Sequence, residues 1–243
     1  DRLRQPDLWQ DRDKLTSLAE ELRAQLSPQL ATTLGRISRE SGGNAVLLLT
    51  ATQKHFPQDF WLNFELGFAL FEARRFDEAL GYYRAALALR PDVGVAHNGV
   101  GVTLAWLGRT DDAIEHFQQA LRLDPKNAWA HHNLGFVLRS KGLVEEPIDQ
   151  FQQSIRLDPN NVMPYLALGE VLSKTGRMDE AIHYYKEALR VDSKSPLPYL
   201  GLGDVLSKTG RVDEASHYDQ EAFRVDPMSA LGHNNLGALL WEK

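Results

Sequence analysis

Residues 94–127, GVAHNGVGVTLAWLGRTDDAIEHFQQALRLDPKN, decide how the rest of the chain is read. Val100, Leu104 and Leu107 stand at i, i+4 and i+7, which places them on one face of a helix. Gly108 follows; an αL residue after a helix costs glycine least, so the helix ends there. Asp111 and Asp112 suit the start of a second helix, where negative charge meets the helix dipole favourably by ~0.3–1 kcal/mol. Its apolar stripe is Ile114, Phe117 and Leu121, and Pro125 closes the unit. Gly101 on the first helix and Ala113 and Ala120 on the second are small enough for the two to touch closely.

The same pattern extends in both directions. Gly67, Gly101, Gly135, Gly169, Gly203 and Gly237 are each 34 residues apart, and each follows an apolar residue, from Leu66 to Leu236. Ala79, Ala113, Pro147, Ala181 and Ala215 keep the same step, as do the aromatics Tyr83, Phe117, Phe151 and Tyr185. Complete units run over 60–93, 94–127, 128–161, 162–195 and 196–229, and a truncated one, with a first helix only, over 230–243. Upstream the frame weakens. Ala45 and Pro57 hold register in 26–59 and Gly42-Gly43 offers a turn, but Thr32-Thr33 stand where Leu-Gly is wanted. That segment reads as a degenerate repeat, and 1–25 as a capping region whose helix covers 12–25.

This arrangement resembles the tetratricopeptide repeat, with Leu-Gly, Ala, an aromatic and Pro at fixed offsets, over residues 60–243. The resemblance implies an all-α, right-handed superhelix, a solenoid of helix-turn-helix units. A narrower resemblance covers residues 1–75, where "DRLRQPDLWQDRDKLTSLAEE" and "HFPQDFWLNFELGFAL" are similar to the tails of large bacterial serine/threonine protein kinases that carry such repeats. No Gly-rich phosphate loop, H-R-D or D-F-G occurs, so any kinase chemistry is expected outside this sequence.

Composition limits the function. The 243 residues carry 27 Lys and Arg against 33 Asp and Glu, a net charge of −6 that argues against nucleic acid as partner. There is no cysteine, hence no thiolate site or Cys nucleophile. No apolar run approaches the ~18 residues of a membrane span. The chain starts at Asp1 without Met and reads as a piece of something longer; a cytoplasmic location is the default expectation, an extracytoplasmic one if the parent is membrane-anchored.

Candidate chemistry is sparse. His97, His131 and His233 occupy the large-residue position of a first helix and are expected to pack there. His131 and His132, being adjacent, point to different faces, which disfavours joint metal binding. The acid pairs at 111–112, 179–180 and 213–214 fall at second-helix starts and read as capping. No catalytic residue, metal site or cofactor is expected. Asp219 replaces the aromatic and would bury a carboxylate unless it turns to water, so 196–229 is expected to pack least well.

What the family resemblance adds is a concave groove lined by set positions of the first helices. Those positions here hold Trp61, Phe64, Phe68 and Phe71, then Asn98, Val102 and Trp106, then Trp129, His132, Asn133, Phe136 and Arg139. Glu170, Lys174, Asp204 and Lys208 complete the set. The aromatics of 60–93 have a second account, packing on the preceding degenerate repeat, and Glu170–Lys174 and Asp204–Lys208 one as solvated i, i+4 pairs. The expected function is a non-catalytic scaffold that holds a peptide or protein, with Asn98 and Asn133 bonding its backbone. The Lys/Asn/Arg clamp some members use for a terminal carboxylate is not expected. Self-association through Leu236, Leu239, Leu240 and Trp241 is a further expectation.

Overall fold

The computed structural model describes residues 27–40 and 45–227, with side chains left aside at 37–40. The expected capping helix at 12–25, the Gly42-Gly43 turn and residues 228–243, with Gly237, His233 and the C-terminal apolar face, lie outside the described residues. Among those described there are twelve α-helices and no strand. They divide into two bodies, one reaching to Pro125 and the other starting at Lys126.

The first body contains α1 (Pro28–Glu40), α2 (Val46–Gln53), α3 (Phe60–Glu72), α4 (Phe76–Leu89), α5 (Gly94–Trp106) and α6 (Thr110–Leu123). The second contains α7 (Ala128–Ser140), α8 (Glu145–Leu157), α9 (Val162–Lys174), α10 (Met178–Val191), α11 (Pro196–Lys208) and α12 (Val212–Val225). Consecutive helices pair as hairpins from α3–α4 to α11–α12, and within each body each hairpin packs on the next.

The turn between paired helices is built by backbone chemistry. Gly108, Gly142, Gly176 and Gly210 have φ of 75° to 80°, and the following amide reaches back five residues, as Arg109 N to Leu104 O at 2.9 Å. In α3–α4 this position is Arg74, a non-glycine with φ of 60°. The residue after the turn is often arginine, and it clasps the acid three positions on. Arg75–Glu78, Arg177–Glu180 and Arg211–Glu214 each close at 2.7 Å, and Arg109 holds Asp112 likewise. The acids at 179–180 and 213–214 do stand in the first turn of their helices, but neither pair caps through a side chain; Glu180 and Glu214 engage the arginine instead. Start signals for first helices also recur: Asp59, Asn127, Asn161 and Ser195 accept amides of the first turn through their side chains.

The core is a glycine laid on a ring. A Cβ on Gly101 would stand 2.7 Å from Phe117, one on Gly135 2.8 Å from Phe151, and one on Gly169 2.8 Å from Tyr185. Phe117 and Phe151 are fully buried, as are Ala113, Ala120 and Ala181. The tyrosines reach further: Tyr83 also abuts Gly99 at the start of the next hairpin, and Tyr185 abuts Gly201. One ring thus serves two repeats.

One sequence expectation changes and another is decided. The Leu-Gly pair missing at 32–33 lies two positions on, at Leu34-Gly35, where Gly35 faces the buried Leu49 as Gly67 faces Tyr83. The register upstream is shifted, not lost. Asp219 takes the first of the two courses the sequence left open: it buries its carboxylate, 2% exposed, in the ring's slot against Gly203.

Candidate interaction surface

In the first body the exposed face of the first helices is aromatic. Phe64 stacks on the buried Phe60 with centroids 6.2 Å apart, meets Trp61 edge-on, and leans on Tyr83 at 5.5 Å. Phe71 lies 5.4 Å from Phe76 and 6.4 Å from Trp106. These two rings are thus tied to their own hairpin and the next one, while α3 as a whole also packs on α1 and α2 of the preceding repeat. Trp106 stacks on Phe76 at 5.5 Å and 17°, with the Arg74 guanidinium 5.7 Å from the indole, yet 59% of it remains exposed. The strained backbone at Arg74 therefore delivers a cation to an aromatic face. Asn98 and Val102 lie half-buried two turns and one turn before Trp106 on α5, respectively.

In the second body α7 presents Trp129, Asn133 and Phe136 at i, i+4 and i+7. Trp129 is 56% and Phe136 49% exposed, with Asn133 half-buried between them. His132 does not join this face. It is 8% exposed, its ring 5.7 Å from Phe151 and 6.4 Å from Trp129. Burial first, then the nearby Arg139, push its pKa down to about 4, and its Nδ1 has no hydrogen-bond partner. A neutral, dry imidazole belongs to the core, so His132 is a wall behind the surface and not a contact on it.

Arg139 lies over Phe136 at 4.9 Å and pairs with Glu170 of α9. Glu170 also accepts from Lys174 at 2.6 Å. Burial pushes the Glu170 carboxyl up, but the hydrogen bonds from Lys174 and Arg139 hold it below the usual carboxylate range. On α11, Asp204 and Lys208 pair at 2.6 Å. The charged positions are thus partnered with each other, as one of the two sequence accounts had it, with Arg139–Glu170 linking consecutive repeats. Exposed pairs of this kind contribute ~0.2–1 kcal/mol each. Among the described residues no cluster of three or more His, Asp or Glu is placed to hold a metal, and no helix is long and apolar enough to cross a membrane.

Arrays of near-identical helical hairpins with small residues at the helix contact define the class. Family models for the tetratricopeptide repeat match residues 61–93 and 160–228, and one described as a TPR repeat matches 103–142; the chain carries tetratricopeptide repeats at these positions. No curated protein matches the chain significantly in sequence. Among solved structures, pilF of Pseudomonas aeruginosa aligns over 93% of this chain and 99% of its own, with a TM-score of 0.74 at 20% identity. YrrB, described as a TPR protein with an unusual peptide-binding site, aligns over 78% of this chain and 97% of its own, with a TM-score of 0.61 at 20% identity. MamA aligns over 67% and 95%, with a TM-score of 0.62 at 26% identity.

Proposed function

We propose that this chain is a non-catalytic interaction module that holds a peptide or protein segment against the exposed faces of its first helices. The observation that carries the reading is the α7 face, where Trp129 and Phe136 stand half-exposed around Asn133 on a rigid, capped helix. Large rings held in place with one side open bury area on binding at little entropic cost, and an amide between them can pair with a peptide backbone. On α5, Asn98, Val102 and Trp106 offer the same alternation. Partnered charges at Arg139–Glu170–Lys174 and Asp204–Lys208 border the second-body surface. The peptide-binding site stated for YrrB, whose fold this chain shares, adds support from analogy.

Selection from a random peptide library on the immobilised chain tests this. Peptides enriched on the wild type are expected to be lost on Trp129→Ala/Phe136→Ala, and weakened by Asn98→Ala/Asn133→Ala. Equal enrichment on all three proteins refutes the proposal.

The more specific version, a substrate-recruiting tail of a serine/threonine kinase, is supported by the resemblance of residues 1–75. Its expected signature is a kinase domain encoded upstream of Asp1 in the same reading frame; an unrelated upstream sequence leaves the stand-alone adaptor.

A further inference from the structure

His97 on α5 and His116 on α6 face each other across their hairpin with the two Nδ1 atoms 3.1 Å apart and ring centroids at 5.3 Å. His97 Nε2 lies 3.0 Å from the Pro91 carbonyl, which can only accept, so that nitrogen carries a proton. In the neutral ring, His97 Nδ1 then presents its lone pair to His116. His116 Nδ1, 3.1 Å away, then supplies the N–H between the rings. The same cross-hairpin positions recur 34 residues on, where His131 meets Gln150 at 2.8 Å, and again at Tyr199 and Tyr218, whose rings are 6.5 Å apart. Of these pairs, 97 and 116 alone set two ligating nitrogens face to face.

We propose that His97 and His116 form a binding site for a divalent transition-metal ion of the zinc or copper class. Two nitrogens bound side by side to one ion at roughly 2.0–2.1 Å stand about 2.9–3.4 Å apart as the angle runs from square-planar to tetrahedral. The observed 3.1 Å separation falls in that window, and turning the two rings about their side-chain bonds would aim both lone pairs at the ion. The ion takes both Nδ1 lone pairs, and the His116 proton passes from Nδ1 to Nε2, so both imidazoles stay neutral. His97 already has the outer contact that orients metal-bound histidines, an N–H donated to a backbone carbonyl. Asp112, one turn before His116 on the same helix, is held by Arg109, so water fills the remaining positions. With no cysteine in the chain, imidazole is the strongest ligand available to such an ion.

Calorimetric titration of the whole chain at neutral pH, with zinc chloride and with copper chloride in separate runs, tests the site. One ion per chain is expected, with affinity reduced at least about tenfold in His116→Asn and in His97→Gln, since even outer-sphere losses cost that much. The control His183→Asn/His217→Asn, at two exposed histidines, is expected to bind as the wild type does, with circular dichroism confirming helix content in each variant. Broadening of the His97 and His116 imidazole resonances by copper in the wild type gives the same answer without mutation. No saturable binding of either ion, or equal affinity in both site variants and the wild type, overturns the proposal.

Discussion

At the level of single residues, His132 imposes a pH dependence on the second body. In the folded chain its pKa is about 4, against ~6.5 for an exposed imidazole. Between those values the unfolded chain binds a proton that the folded one refuses, so stability is full above ~6.5 and falls as the pH drops toward 4. The loss is expected to approach roughly 3 kcal/mol. Urea midpoints measured from neutral pH down to about 4 are expected to fall accordingly, and His132→Leu, which also removes an orphaned nitrogen, is expected to flatten the curve. Arg74 argues in the other direction. A non-glycine in the αL region costs ~1–2 kcal/mol, while its cation–π contact with Trp106 returns ~0.5–1 kcal/mol. Arg74→Gly is therefore expected to stabilise the chain by roughly 0.5 kcal/mol, read as a small rise in melting temperature.

At the level of the helix pair, fit outweighs propensity. Alanine is a better helix former than glycine by ~1 kcal/mol, but at Gly101 its methyl would press on a fully buried ring. Gly101→Ala is expected to destabilise by about 1–2 kcal/mol net, and Asn127→Ala, which removes a cap, by about 1 kcal/mol; thermal melts check both. These features were legible early, because the 34-residue step marks glycine, small residue and ring together. Three features were not. Leu34-Gly35 fell out of view because a fixed period cannot see a two-residue shift. The burial of His132 follows from which side of α7 meets Phe151, and the adjacent exposed Trp129 disguises it. Arg74 gave no signal, since a turn tolerating a strained residue looks in sequence like a turn that is missing its glycine.

Across the molecule as a whole, the charges of the described residues lie mostly at the surface and work locally. The repeated Arg–acid clasps are exposed i, i+3 pairs, and the net charge is modest. Raising sodium chloride from about 0.05 M to about 1 M is therefore expected to move the melting temperature only slightly, because buried contacts carry the stability. A large drop would show that these clasps matter more than their exposure implies. The proposed interaction surface was partly legible at this scale: the first-helix positions held the exposed aromatics, but which charges were already spoken for emerged only once Arg139 met Glu170 in space.

Tyr83 and Tyr185 each touch a glycine of their own hairpin and one of the next. Modules joined in this way are not freely shuffled: a tyrosine-bearing cassette demands a successor that opens with glycine, whereas Phe151 is followed in its cluster by Ala167. Excising 162–195 would splice Phe151 against Gly201 and leave a gap at the seam. Gene-level gain or loss of single modules is thereby constrained to neighbours that match.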